Sequence, residues 1–268
     1  MLIMIFFLIG SGMLTGFLAG LLGTGGTMFL APIMLICLNY LNIDPTRHMQ
    51  IALGSSLAIM IFSSFAAYKY HKKLKNIDFS IVKLGLVAVI PLLILGSVVS
   101  DWLPSRTLQY CFGIYLGVVS MRLFYVIFTA HKVVREERTM GKVSKITMGG
   151  ILGFCSGLLG VGGSSITVPY MMQYNIPQRV IGGTTTMFTV VATIIGTMCY
   201  IYNGVTEPHM THSFWTIGYV MWPAVLFMTP FSMWFAKYGA ILSKKLDDRV
   251  LKLILAAMFV FLGMSMIV

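Results

Sequence analysis

A seventeen-residue segment occurs twice in this chain, and this repeat limits the possible folds more than any other feature of the sequence. Residues 16–32 read GFLAGLLGTGGTMFLAP, and residues 153–169 read GFCSGLLGVGGSSITVP. Nine of the seventeen aligned positions are identical at an offset of 137 residues, which is close to half of the 268-residue chain. A repeat with this period predicts two structurally related halves.

The amino-acid composition places both halves in a membrane. Hydrophobic residues make up 57% of the chain and charged residues only 10%, whereas about 25% of the residues of soluble proteins are charged. Several apolar runs approach or reach the roughly 20 residues that cross the hydrocarbon core as a helix. These runs are 49–66, 84–100, 107–121, 185–202 and 213–236. We therefore predict an all-α polytopic membrane protein.

The excess of positive charge indicates topology rather than nucleic-acid binding. The chain has 19 Lys and Arg residues against 8 Asp and Glu, a net charge of +11. Most of the basic residues lie in three segments, 69–75, 131–145 and 237–252. Short loops rich in Lys and Arg beside membrane spans lie on the cytoplasmic side. We expect these three loops in the cytoplasm, both termini outside, and a lipid bilayer rather than a nucleic acid as the surrounding partner.

Counting spans outward from these loops predicts three transmembrane helices in each half. The rest of each half, 2–41 and 146–176, begins and ends on the same side of the membrane, so we expect each segment to form a helical hairpin interrupted by a Gly-rich turn. Each of the two helical pieces has about fifteen residues and is therefore about 22 Å long, shorter than the hydrocarbon core of about 30 Å. This length favours a re-entrant or short hairpin. The odd number of crossings predicts an inverted-topology repeat. Its parts are 1–130, a basic cytoplasmic linker at 131–145, and 146–268.

The Gly-rich turns are the candidate binding site. Glycine leaves backbone N–H groups free to point at a ligand, and the helix after each turn presents unpaired N–H groups and the positive end of its dipole. Two such turns meeting near the midplane would bind an anion. The candidate residues are Thr24, Gly25, Gly26, Thr27, Gly162, Gly163, Ser164 and Ser165. For Gly16, Gly20, Gly153 and Gly157, which precede the turns, helix packing is the preferred interpretation.

A second, weaker echo follows each turn. Gly54-Ser55-Ser56 and Gly183-Thr184-Thr185 each come after a Pro-x-Arg sequence. The hydroxyls of Ser55, Ser56, Thr184 and Thr185 either donate to an anion or bond between helices. Arg47 and Arg179, from the two Pro-x-Arg sequences, would lie at the outer and the inner vestibule. There they either attract anions or extend to lipid headgroups.

The two copies of G-x3-G-x2-G-x-G-G-x5-P, with the motifs that follow them, resemble the TauE/SafE family of sulfite and organosulfonate exporters. The resemblance covers nearly the whole chain. It implies export of sulfite, sulfoacetate or other organosulfonates across the bacterial inner membrane, along a path lined by the Gly-rich turns and the four hydroxyls. Gly-Ser-Ser and Gly-Thr-Thr depart from the family's more usual Gly-Thr-Ser, so another small anion, such as a carboxylate or thiosulfate, is the alternative substrate.

Other functional classes fit the sequence less well. The five histidines lie at or beyond segment ends, away from Ser55 and Ser164, so we do not expect an enzyme. The Gly-x-Gly-Gly spelling lacks the strand and acidic residue of a dinucleotide site, and the four cysteines lack metal-ligand spacing, so neither cofactor nor metal is expected. A receptor or scaffold remains the weaker alternative.

The eight acidic residues lie in loops or at segment ends, which indicates that any proton moves on the substrate itself.

Overall fold

The computed structural model describes residues 2–22, 27–40, 46–128, 140–174, 176–207, 216–243 and 248–267. The first half contains α1 (Leu2–Leu22), α2 (Thr27–Tyr40), α3 (His48–Lys73), α4 (Phe79–Trp102) and α5 (Ser105–Phe128). The second half contains α6 (Lys142–Leu159), α7 (Ser164–Met171), α8 (Gln178–Thr206), α9 (Trp222–Ser243) and α10 (Asp248–Ile267). Two-residue strands, β1 (Thr216–Ile217) and β2 (Val220–Met221), pair antiparallel before α9. Apart from this short ribbon, the predicted all-α class is confirmed.

The surface of the helices is suited to lipid. Within the described ranges, α3, α4 and α8 are each long and apolar enough to cross a membrane. Large apolar side chains point outward, among them Trp102, Val87 and Phe261, which are 79%, 68% and 71% exposed. So many large exposed apolar side chains require a non-aqueous partner. The chain is therefore a multi-pass membrane protein.

The second hairpin is less symmetric than the sequence predicts. α6 has 18 residues and α7 has 8, instead of two pieces of about fifteen residues each. α6 begins at Lys142, inside the segment predicted as linker, because Gly141 adopts an extended conformation and serves as its N-cap. α7 contains Pro169 and ends two residues later. Proline has no N–H to donate to the preceding turn, which weakens the helix there.

Closely packed glycines join α1 to α9 and α6 to α4, and each of these helix pairs is parallel. On α1, Gly12, Gly16 and Gly20 face Met228, Ser232 and Ala236 of α9, respectively. On α6, Gly149, Gly153 and Gly157 face Gly85, Val89 and Leu93 of α4. In every pair a Cβ on the glycine would overlap backbone atoms of the other helix. The packing interpretation of the four glycines that precede the turns is thereby confirmed. The contacted positions on α9 lie 143 residues after those on α4 in all three cases, so the two interfaces have the same register.

The third helices of the two halves pack against each other antiparallel, and so do the fifth helices. Gly54 of α3 approaches Tyr200 of α8, and further along α3 the hydroxyls of Ser64 and Thr193 lie 3.4 Å apart. Ser120 of α5 donates to the carbonyl of Ala256 on α10 at 2.9 Å, while a Cβ on Gly263 would meet α5 near Leu116. In both helix pairs, the residue numbers of the contacts increase along one helix while they decrease along the other.

The largest buried apolar cluster also joins the halves. Phe29 of α2 stacks on Phe259 of α10 with ring centroids 5.2 Å apart, and both belong to a cluster that extends through Leu53 and Phe112. The four cysteines are free thiols, as the sequence indicates. This core holds α2, α3, α5 and α10 together, and it leaves a cavity beside α3 and α8.

Candidate functional site

A cavity of about 310 Å³ lies between the two halves. Its walls come from α1, α2 and α3 of the first half and from α7, α8 and α9 of the second. It follows α3 from Ile59 to His71 and α8 from Thr189 back to Gly182. Because α3 and α8 are antiparallel, the end of α3 and the beginning of α8 lie at one end of the molecule, which we call the cavity end.

The cavity wall is rich in hydroxyl groups. The eight hydroxyl side chains are Thr15, Ser63, Ser64, Ser164, Thr185, Thr186, Thr189 and Ser232. Several of them donate to a carbonyl of their own helix, as Thr15 does to Ser11 at 2.8 Å and Thr189 to Thr185 at 3.0 Å. A hydroxyl proton rotates readily, so such a group can donate to a ligand instead. Among the lining residues that the structure describes there is no Lys, Arg, Asp or Glu.

The second Gly-rich turn is buried next to this cavity. Gly160 ends α6 with φ +59, a left-handed conformation that favours glycine. Gly162 and Gly163 are buried, and a Cβ on Gly163 would lie 2.9 Å from Oγ1 of Thr189. Ser164 begins α7 and lines the cavity. The backbone of the turn therefore lies against α8, with the N-terminus of α7 at the cavity wall.

Side chains from other segments hold α7 in place. The hydroxyl of Tyr115 donates to Ser165 at 2.6 Å, and Ser165 in turn donates to the carbonyl of Gly162 at 3.1 Å. Thr167 donates to the carbonyl of Gly163, and its hydroxyl lies 3.0 Å from that of Thr185. Neither Tyr115 nor Thr167 stands out in the sequence, because Tyr115 lies outside the repeated segment and Thr167 aligns with Leu30 in its other copy.

Ser55 and Thr184 have equivalent partners in opposite halves. Oγ of Ser55 accepts from the backbone N–H of Met221 at 2.9 Å, and Oγ1 of Thr184 accepts from that of Asp78 at 3.1 Å. Both hydroxyl side chains are fully buried, and Met221 and Asp78 are again 143 residues apart. Each bond joins the third helix of one half to the residue that precedes the fourth helix of the other.

The two glycines beside these hydroxyls also pack across the halves. A Cβ on Gly54 would overlap the carbonyl of Tyr219, and one on Gly183 would overlap that of Asn76. Ser56 is buried and donates to the carbonyl of Ala52 in its own helix at 2.7 Å. Of the four hydroxyls in the second echo, only Thr185 lines the cavity.

The first Gly-rich turn falls mostly outside the described residues. Thr24, Gly25 and Gly26 belong to 23–26, and so the predicted meeting of the two turns also lies outside the described residues. Thr27 is the first residue of α2. Leu30, which follows it by three residues, lines the cavity.

Arg47 and Arg179 lie at opposite ends of the molecule. Arg179 is exposed in the first turn of α8, at the cavity end. Nη2 of Arg47 forms an ion pair with Glu207 at 2.8 Å, and Nη1 donates to the carbonyl of Asp101 at 2.7 Å. The hydroxyl of Tyr219 donates to Oδ1 of Asp101 at 2.7 Å. Burial, together with this bond to a carboxylate, raises the pKa of Tyr219, so its hydroxyl stays protonated.

We call Arg47, Asp101, Glu207 and Tyr219 the Arg47 cluster. It joins the beginning of α3, the end of α4, the end of α8 and the turn between β1 and β2. The cluster therefore ties four chain segments together at the end of the molecule opposite the cavity. The described residues contain no group of three His, Cys, Asp or Glu placed to hold a metal ion.

Comparison with known proteins relates this architecture to a family of membrane transporters. The family described as "Sulfite exporter TauE/SafE" matches residues 8–266. The chain is 27% identical to a probable membrane transporter protein of Haemophilus influenzae over 258 residues, 95% of each chain. It is 26% identical to one of Methanocaldococcus jannaschii over 258 residues, 96% of this chain and 92% of the relative. It is 24% identical to the probable membrane transporter protein YunE of Bacillus subtilis over 275 residues, 96% and 94% of the two chains. No solved structure matches the chain.

Proposed function

The chain belongs to the sulfite exporter TauE/SafE family, and on this premise we propose that it exports sulfite, sulfoacetate or other organosulfonates across the bacterial inner membrane. The observation that best supports this proposal is the cavity of about 310 Å³ between the halves, with its eight hydroxyls and the N-terminus of α7. Neutral hydroxyl donors and a helix N-terminus suit a small anion. No step in such a function requires a cofactor or a chemical reaction.

The proposed mechanism uses two halves with opposite orientations. The support for an inverted repeat is the antiparallel packing of α3 against α8 and of α5 against α10, together with the equal register of the α1–α9 and α6–α4 interfaces. Two halves related in this way can rock about a site at their interface, which exposes it to each side in turn. The halves are 1–130 and 146–268.

The orientation of the cavity follows from the positive charges. We place the basic segments 69–75, 131–145 and 237–252 in the cytoplasm, because Lys and Arg are enriched in cytoplasmic loops. The cavity end contains the end of α3 and the segment 69–75, so the cavity opens to the cytoplasm. The Arg47 cluster then closes the outer end. This is the conformation in which an exporter takes up its substrate.

Two classes of residue take part in the proposed binding site. Ser164 and Thr185 line the cavity and would donate to the anion directly, beside the buried turn at Gly162 and Gly163. Ser55 and Thr184 would act through structure, because each holds the backbone ahead of the other half's fourth helix.

Replacing the hydroxyl of Thr185 tests this assignment. We expect Thr185→Val to lower the efflux of sulfite from proteoliposomes about fivefold or more, because a site that hydrogen-bonds its substrate loses about 1–3 kcal/mol with one donor. Thr147→Val is the matched control, since Thr147 is exposed on α6 and bonds only to the carbonyl of Val143. Equal efflux by Thr185→Val and the parent would contradict a path through the cavity.

A ligand panel separates the proposed substrate from its alternatives. Sulfite, methanesulfonate, sulfoacetate, thiosulfate and acetate are each added to the purified chain, and thermal unfolding is followed, since a bound ligand stabilises the folded state. A shift with acetate or thiosulfate alone would favour the alternative anions. Binding without flux in proteoliposomes would favour a receptor. No shift and no flux with any of them would reject the proposed function.

A further inference from the structure

His71 differs from every other residue of the cavity wall. Among the lining residues that the structure describes, it is the one ionisable side chain. It lies in the last turn of α3, and its imidazole packs against α8, where a Cβ on Gly182 would lie 3.5 Å from its Cε1. Its Nδ1 is buried and has no hydrogen-bond partner among the described residues. A buried imidazole nitrogen without a hydrogen-bond partner lowers the stability of the folded state.

The charged residues on the segments that meet at the cavity end are almost all positive. The helix of His71 also carries Lys69, Lys72 and Lys73. Arg179 lies on α8 and Lys237 on α9. Lys75 and Asp78 lie between α3 and α4. Tyr70 also neighbours the imidazole, with ring centroids 5.8 Å apart. The residues of α1, α2 and α7 that line the cavity have no ionisable group. The carboxylate of Asp78 accepts from the N–H groups of Ser80 and Ile81 at the start of α4.

This setting makes protonation of His71 dependent on an anion. Removal from water disfavours a positive charge on the imidazole, and the carboxylate of Asp78 is occupied in capping α4. A negatively charged ligand in the cavity reverses this effect, because it lies beside the imidazole where the wall is otherwise neutral. Histidine is the side chain whose charge changes near neutral pH.

We propose that His71 is the ligand that couples anion binding to proton uptake, an inference that rests on the proposed function. When the anion enters, the imidazole takes one proton from water and becomes an imidazolium, which pairs with the anion. When the anion leaves, the proton returns to water. Binding of one anion is thereby linked to binding of one proton, and the proton belongs to the protein rather than to the substrate.

The experiment uses probes that have no proton of their own to contribute. Methanesulfonate and thiosulfate stay fully ionised between about pH 5.5 and 8, the range in which histidine titrates. Binding of each to the purified full chain is measured by calorimetry across this range. Two buffers with different ionisation heats give the number of protons taken up per anion. We compare the parent chain with His71→Gln and with Lys72→Gln, which removes an adjacent exposed charge.

For the parent we expect affinity to fall by up to tenfold per pH unit above the pH at which the imidazole loses its proton, with uptake approaching one proton per anion. His71→Gln should bind weakly at every pH without proton uptake, while Lys72→Gln should still take up about one proton per anion, as the parent does.

Three results would overturn the inference. The first is an unchanged pH dependence in His71→Gln. The second is binding to the parent without proton uptake, which needs no variant and is independent of whether His71→Gln folds. Either of these would leave the anion site in place. The third, no binding of either probe to the parent at any pH, would reject the anion site itself together with this inference.

Discussion

At the scale of single residues, similar side chains have different functions according to what lies opposite them. Gly16 is part of a helix interface, where its missing side chain lets α9 approach, whereas Gly160 has a left-handed conformation at the end of α6. Thr185 lines the cavity, while the neighbouring Thr184 is fully buried and accepts from a backbone N–H. Residue type alone therefore indicates which chemistry is available but not where it is used.

The packing glycines provide a residue-scale prediction. Gly16→Ala should lower the free energy of unfolding by several kcal/mol or prevent folding, because its Cβ would overlap backbone atoms of Ser232, and overpacking of a tight contact costs about 1–3 kcal/mol or more. Thermal unfolding in detergent measures the change. Gly117→Ala is the control, since nothing lies within 4 Å of its added Cβ. It should stabilise α5 by about 0.5–1 kcal/mol. Equal stabilities for the two variants would contradict close packing at α1 and α9.

At the scale of secondary-structure elements, hydrogen bonds between the halves fix where the fourth helices begin. Ser55 and Thr184 both accept from a backbone N–H just ahead of α9 or α4. The glycine before each of them leaves room for the same segment. The repeated Gly-hydroxyl sequence is therefore an interhelical contact in the described structure, one of the two interpretations that the sequence leaves open for these hydroxyls.

The contact of Ser55 leads to an element-scale prediction. Ser55→Ala should destabilise the protein by about 1–3 kcal/mol, because the buried N–H of Met221 loses its acceptor. Ser56→Ala should cost much less, since Ser56 donates only to a carbonyl of its own helix. Both are measured by thermal unfolding. A larger loss for Ser56→Ala than for Ser55→Ala would contradict the assignment.

At the scale of the whole molecule, the cavity and the Arg47 cluster lie at opposite ends. The cavity lies among α3, α8 and α9 at one end, while Arg47, Asp101, Glu207 and Tyr219 hold segments of both halves together at the other. A transporter that exposes its site to each side in turn must break the second set of contacts when the first end closes. The cluster is therefore the expected outer closure.

The cluster provides a prediction at this scale. Glu207→Ala should raise the population of outward-facing molecules, because Arg47 loses its ion-pair partner at 2.8 Å. In a background without native cysteines, Ser100→Cys reports opening, since Ser100 is fully buried beside Tyr200. We expect an impermeant thiol reagent to label it about tenfold faster, equivalent to about 1.4 kcal/mol. Arg106→Gln is the control, since this arginine is exposed and bonds to Tyr110 in its own helix. Unchanged labelling in Glu207→Ala would contradict closure by the cluster.

The sequence by itself determined the membrane setting and the packing glycines, and its internal repeat predicts two related halves. These follow from composition and from spacing along the chain, which are local properties. Only the tertiary structure decided that Thr185 and not Ser55 lines the cavity, that His71 belongs to its wall, and that Arg47 is paired with Glu207. The physical reason is that the function of a polar group depends on the atom facing it, and those partners are distant in sequence: Met221 lies 166 residues from Ser55.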